Sequence, residues 1–402
     1  MPSLETRSRD ATARIERFNA GREPERLAIK YKEMRSSPFA FFRGTAHLFW
    51  EDLASHDGAL PESPLVWACG DLHFENFGSF QGDNGLSYFD LNDFDDAALA
   101  PALWELSRFV TSAYVAAPQL GISRSAATAL VTDFLGAYRD ALEDGKARWI
   151  ERATATGMVR TLLRRVTNQT RSMLINARTT IRKGKRRILI DGRRALEVTD
   201  AQRTMVTRQL DKFAGEQPDP NFFKVLDVAR RVAGVGSLGL DRYIVLVRGD
   251  GGRDGNALLD AKEAAPSSLA GSGRFQQPAW RSEADRVVTI QRRMQAVAPA
   301  LLHAKRINRG GYILRELQPS NDRLTIKDAR GHPHRLHSAA KSMGRLTAWA
   351  QLRSSGREGS AIADELVEFA DASGWKRRII EYGRSYQAQV NRDYKEFVRT
   401  RK

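Results

Sequence analysis

The sequence predicts an α+β fold that is helical at both ends of the chain and β-rich in the middle. Three observations predict it. The first 221 residues carry long amphipathic apolar patterns, "ALWELSRFVTSAYVAA" at 102–117 among them. From 222 to 320 the composition turns glycine-rich, with alternating and apolar strand runs on either side of "GDGG". From 321 to 402 helical periodicity returns, most clearly after Ser338. At 402 residues, 42% of them apolar, the chain is long enough for two packed cores.

Residues 4–35 read as helical and mostly exposed. Ser37-Pro38 then pairs an N-cap with proline at the first helical position, opening an apolar helix from 38 to about 55. "GALPESP" ends it, and "LVWACG" and "LSYFDL" read as short buried strands. Two amphipathic helices, split by "PQLGIS", fill 101 to about 142. A basic stretch follows, helical as far as "RKGKRR", with "ILIDGRRALEV" as a small hairpin. In the β-rich block, "SEADRVVTIQRRMQAV" is a helix with Ser282 as N-cap. Its Val287, Ile290, Met294 and Val297 lie on one face. "GGYILRELQPSND" is a strand ending in a turn.

Composition narrows the function classes. No stretch approaches the roughly 20 apolar residues of a membrane span, and "MPSLETRSRDATARIERF" lacks the apolar core of a signal peptide. Cys69 is the only cysteine, which excludes an intrachain disulfide and a cysteine zinc cage. A cytoplasmic location is expected. Of the net charge of +16, residues 159–194 supply eleven, with twelve Lys or Arg against Asp191. Such a segment suits an acidic partner or nucleic acid, but it has no aromatic side chain on which a base could stack. A solvated basic face accounts for it equally well.

The negative charge is concentrated instead in "GDLHFENFG" at 70–78 and "FDLNDFDDA" at 89–97. Asp71 and Asn76 stand five apart on a loop after a strand, and Asp93 follows a second strand. Phosphoryl transfer needs one carboxylate to take the proton of the attacking hydroxyl, and oxygen ligands to hold Mg²⁺ against the phosphates. Protein kinases space an Asp, an Asn and a further Asp in this way. The cluster could equally bind a structural cation. Asp71, His73, Asp93 and Asp95 could also serve a metallohydrolase, although the chain has only seven histidines, with "HPHRLH" at 332–337 as their one grouping.

"GDLHFEN" with "NDFDDA" resembles the motifs of aminoglycoside and choline phosphotransferases, small-molecule kinases of kinase fold. That resemblance implies Asp71 as catalytic base and Asn76 and Asp93 as Mg²⁺ ligands, with Cys69 where the family usually has histidine. Together with "SPFAFFRG", "GVGSLG", "KEA" and "RVV…QRRMQ", the motifs resemble the DUF2252 family of bacterial proteins over most of the chain.

The other kinase parts lie downstream. Gly234, Gly236 and Gly239 follow the G-x-G-x-x-G spacing, and with Ser237 they form a loop whose backbone can approach phosphates. A strand follows, where a dinucleotide-binding turn would open a helix. Lys262 takes the place of the strand lysine that pairs with the α- and β-phosphates. Glu283, one turn before Val287 on the apolar stripe of its helix, is a candidate partner for it, whereas the resemblance implies an acid at the position that Thr289 holds here. Backbone groups of Arg315, Glu316 and Leu317 would meet the adenine of ATP. The expected architecture is therefore a protein-kinase-like two-lobed fold with circularly permuted lobe order. Residues 1–221 and 321–402 form a largely helical large lobe, and 222–320 the nucleotide-clamping small lobe. Its partners would be ATP with Mg²⁺ and an unidentified hydroxyl-bearing acceptor. AMP transfer at the same site, a catalytically weak nucleotide-binding module, and a nucleic-acid-associated protein using the basic segment are the competing readings.

Overall fold

The computed structural model of the protein describes residues 10–400 apart from 57, 168–170, 252–254, 308–309, 319–322, 326–327 and 329–332. The end of the expected turn at 317–322 and the first histidine of "HPHRLH" lie outside the described residues.

The fold is α+β. Its helical core is built on Ala102–Leu120, a largely apolar helix buried along its length, the charged Glu105 and Arg108 included and Pro118 and Gln119 excepted. Arg124–Glu143, Pro333–Ser354 and Trp375–Thr400 pack around it. Two glycines let the helices meet closely. A Cβ on Gly344 would lie 2.1 Å from the Phe134 carbonyl oxygen, and one on Gly383 would lie 2.7 Å from Val110 Cγ1. Gly344→Ala should therefore overpack the contact and cost about 3 kcal/mol. A lowered urea midpoint checks this, and an unchanged midpoint contradicts the close approach.

Six antiparallel strands form the main sheet. Their spatial order is His303–Ile307, Gly310–Glu316, Gly255–Glu263, Arg242–Gly251, Val225–Arg231, Ala195–Leu196. Strand alternation divides the apolar side chains between its faces. Tyr243, Val245 and Leu259 pack with Val206, Leu210 and Phe213 of helix Asp200–Ala214, while Ile244, Leu246 and Leu258 pack with Ile175 and Ile188. Helix Glu283–Met294 follows the third long strand, capped by Ser282, whose hydroxyl accepts from the Asp285 N–H at 3.1 Å.

Several expectations change. Residues 38–55 form two helices, Pro38–Gly44 and Ala46–Ser55, because Thr45 leaves helical geometry at φ −130°. The helices Ala11–Phe18 and Pro24–Arg35 are not mostly exposed, since Ile15, Arg26, Lys30, Tyr31 and Met34 are buried. The basic segment is no free arm. Helix Arg171–Arg178 and a hairpin pairing Thr179–Arg182 with Lys185–Ile188 lie over the sheet, so "RKGKRR" is the hairpin turn Lys183-Gly184 with the strand ends on either side of it. Arg171 pairs with Asp250 at 2.9 Å and with Glu316 at 3.3 Å. The sheet also begins upstream of the boundary expected at 222, with Ala195–Leu196. No helix among the described residues is long and apolar enough to cross a membrane.

Candidate functional site

Strand Leu65–Ala68 delivers the chain to Gly70, where the two acidic loops touch. Gly70 sits at φ +93°, and a Cβ there would lie 2.3 Å from the Asp96 carbonyl oxygen, so only glycine fits. Asp71 follows. Its Oδ1 accepts from Arg108 Nε at 2.8 Å, and Arg108 Nη2 lies 2.7 Å from the same oxygen. Arg108 is fully buried, with its guanidinium 3.5 Å over the Phe42 ring and Nη2 donating to the Phe42 carbonyl at 2.7 Å. Burial pushes the Asp71 carboxyl up, and Arg108 opposes that shift. Beneath the loop, Glu105 accepts from the Cys69 N–H at 2.6 Å and from Gln351 Nε2 at 2.8 Å.

Asn76 does a different job from the one expected. Its Oδ1 accepts from the Asp93 N–H at 2.8 Å, while its Nδ2 donates to the carbonyls of Asp71 at 3.0 Å and Asp93 at 3.2 Å. At 2% exposure it clamps the two acidic loops together rather than offering a free ligand oxygen. His73 is no free ligand either. Its Nδ1 accepts from the Glu75 N–H at 3.1 Å, and its Nε2 faces Arg43 Nε at 3.2 Å.

Lys262, on strand Gly255–Glu263, reaches across 167 positions to ion-pair with Asp95, and its Nζ lies 4.0 Å from Asp93 Oδ1. Burial raises the Asp93 carboxyl, but Lys262, then Arg323, Arg315 and Arg242, outweigh it and hold the group below the usual carboxylate range. Burial and the neighbouring Asp93 charge push Asp95 the other way. Glu283 does not meet Lys262. It pairs with Arg286 at 2.6 Å, one turn along its own helix. Arg286 in turn donates to the carbonyls of Asp95 at 2.9 Å, Ala265 at 3.0 Å and Ala97, which ties the helix to the acidic loop.

The glycine loop joins strands Val225–Arg231 and Arg242–Gly251 and opens no helix. Gly234 and Gly239 take φ +77° and +94°. The N-terminal helices brace it: Lys30 Nζ donates to the Gly236 carbonyl at 2.9 Å, and the Glu23 N–H to that of Gly239 at 2.9 Å. Arg315, Glu316 and Leu317 are placed elsewhere. The Glu316 and Leu317 N–H groups are spent on the Ala300 and Leu258 carbonyls, at 3.0 and 2.8 Å. Arg315 joins Arg231 and Arg242 around the buried Asp260. Strand register sets this, since Asp260 pairs with Arg315 in the sheet.

One cavity of about 100 Å³ gathers Asp71, Asp93 and Asp95 with Gly234, Gly236 and Ser237, and is closed by Phe18, Arg22, Arg43 and His47. Asn76, Gly239, Lys262 and Arg315–Leu317 do not line it. Among the described residues no three His, Cys, Asp or Glu side chains are arranged to hold a metal. Asp93, 41% exposed on the cavity wall and held ionised, suits a hard cation that completes its shell with water or phosphate oxygens. Arg108, Arg286 and the bracing residues escaped sequence reading. The one available signal was the pair of charged residues, Glu105 and Arg108, in the largely apolar "ALWELSRFVTSAYVAA".

His47 is buried neutral. Burial, then the charges of Lys30, Arg14, Arg22 and Arg108, pull its pKa well below the usual range. As pH falls below about 6.5 the unfolded chain takes up this proton first, so the stability His47 contributes above that pH is lost. Measured against His47→Phe, the wild-type urea midpoint should drop between about pH 6.5 and 5. Equal pH slopes for the two proteins would contradict a buried neutral ring.

Residues 22–400 match the family model DUF2252, described as an uncharacterized protein conserved in bacteria. The chain belongs to the DUF2252 family. No curated protein and no solved structure matches it. The family match of this DUF2252 chain takes in both acidic loops, the glycine loop and Lys262, and begins at the Arg22 that closes the cavity.

Proposed function

We propose that this DUF2252 protein is an ATP- and Mg²⁺-dependent phosphotransferase of kinase-like, circularly permuted fold, acting on a hydroxyl-bearing acceptor. The observation that carries the reading is Lys262 Nζ at 4.0 Å from the Asp93 carboxylate, beside a cavity that also takes in Asp71 and the glycine loop. In a kinase the glycine loop joins the first two strands, the lysine lies on the third, and a helix follows. Val225–Arg231, Arg242–Gly251, Gly255–Glu263 and Glu283–Met294 have that order. The catalytic-loop elements precede them, which is the permutation.

Each residue then has a task. Asp71, held by Arg108 and raised by burial, accepts the proton of the attacking hydroxyl. The N–H groups of Gly234–Gly236 face the phosphates, and Lys262 exchanges Asp95 for phosphate oxygens. Mg²⁺, when bound, would neutralise phosphate charge with Asp93 as its protein ligand. Asn76 supports the reading as the clamp that fixes Asp93 relative to Asp71. The Arg315–Leu317 adenine contact is not retained.

A second reading has its own observation. Lys262 pairs with Asp95 and Glu283 with Arg286, so the lysine lacks its helix acid, as in a catalytically weak nucleotide-binding module. Phosphorus NMR of ATP incubated with the protein and Mg²⁺ separates the readings. Phosphotransfer gives ADP with phosphate or a phosphorylated acceptor. AMP with pyrophosphate means nucleotidyl transfer, and bound but intact ATP across a panel of acceptors favours the weak module.

A further inference from the structure

One end of the cavity is lined by residues of the N-terminal helices and the turns between them, Arg22 and His47 among them. His47 lines it at 2% exposure with neither ring nitrogen hydrogen-bonded, its ring stacked on Phe18 at 3.9 Å and 7°. Buried ring nitrogens with no partner are rare, because each forfeits its hydration. Arg22 lines the same end, and its Nη1 is satisfied only by the carbonyls of Gly236 at 2.8 Å and Leu238 at 3.1 Å. Lys30 lies behind, fully buried, donating to Asn19 Oδ1 at 2.8 Å and to the Gly236 carbonyl. Among the described residues neither Arg22 nor Lys30 has a carboxylate within ion-pair distance. A poorly compensated guanidinium and an unused imidazole N–H face a space that Asp71 also lines.

We propose that the acceptor is a small anionic alcohol. Its carboxylate or phosphate group seats against Arg22 and His47 while its hydroxyl points to Asp71. The inference rests on the phosphotransferase reading. Charge sets the orientation, because Asp71, Asp93 and Asp95 repel an anion that the Arg22 guanidinium attracts. In the transfer the acceptor oxygen bonds to the γ-phosphorus and the bond from that phosphorus to the β-bridging oxygen breaks. Its electron pair leaves with ADP, and the hydroxyl proton goes to Asp71. The neutral His47 ring has one N–H to donate, and the anion supplies the acceptor it lacks.

The test uses inorganic phosphate as probe, titrated calorimetrically into the full chain without nucleotide or Mg²⁺. Wild type should bind it. His47→Phe keeps the stack on Phe18 and removes only unpaired nitrogens, so it should fold and bind phosphate about tenfold more weakly, the loss of one hydrogen bond to a charged group. Arg22→Gln should lose at least as much. Saturation with Mg-ADP should leave phosphate binding in place. No phosphate binding by wild type, unchanged affinity in His47→Phe, or displacement of phosphate by Mg-ADP would overturn the assignment, the last by giving the anion site to the donor. Phosphate binding in a protein that does not bind Mg-ATP would overturn the acceptor role through failure of the phosphotransferase reading, with the anion site itself still standing.

Discussion

Asp71→Asn should slow Mg²⁺-dependent release of phosphate from ATP by roughly 10²–10⁴-fold, the usual contribution of a positioned general base. Binding of Mg-ATP should change little, because Asp71 faces the attacking hydroxyl rather than the nucleotide. The amide cannot take the proton, yet it still offers Arg108 an oxygen in place of the one that now accepts at 2.8 Å. The loop, held also by Asn76 and by the Gly70 contact with Asp96, should keep its shape. Asp71→Ala is a harsher variant, since it leaves a fully buried guanidinium without its carboxylate. Full turnover in Asp71→Asn, with ATP as donor and water as acceptor, would remove the base assignment.

Asp93→Asn should weaken nucleotide binding in the presence of Mg²⁺ by at least tenfold, or about 1.4 kcal/mol. Affinity for ATP in EDTA should hardly move. The reasoning is electrostatic. Asp93 is the carboxylate that Lys262 and three arginines keep ionised, and it lies partly exposed on the cavity wall. Neutralising it removes a charge that attracts a divalent cation, while the arginines and Lys262 still attract phosphate. Equal affinity in the two proteins at saturating Mg²⁺ would assign the metal ligand elsewhere, with Asp95 the next carboxylate to test.

The acidic loops were legible because their chemistry is local: Asp71, Asn76 and Asp93 stand in two short motifs on strands whose apolar runs mark them. Lys262 was legible through order alone, by following a glycine loop and a hairpin. What could not be read is what long-range packing decides. The partner of Asp71 is Arg108, on a helix whose apolar periodicity announces burial but not what a buried cation meets. Lys262 pairs with Asp95 on the acidic loop, while Glu283 pairs with Arg286, one turn along its own helix. Arg315–Leu317 were misplaced because strand register fixes which backbone groups remain free. The N-terminal helices read as exposed surface, yet Arg22 and Lys30 donate to carbonyls of the glycine loop, and Lys30 is fully buried. The hairpin at 179–188 was shifted in the reading because "RKGKRR" has no apolar residue to reveal a strand; its pairing is set by the sheet it covers.

Calorimetric titration of Mg-ATP into the wild-type protein and into Lys262→Met tests the central claim most directly, because it needs no knowledge of the acceptor. A site shared by Lys262, Asp93 and the glycine loop predicts one Mg²⁺-dependent ATP site per chain, with affinity falling at least tenfold in the variant. A wild-type protein that binds no Mg-ATP, or a Lys262→Met variant that binds it as tightly as wild type, would contradict that site.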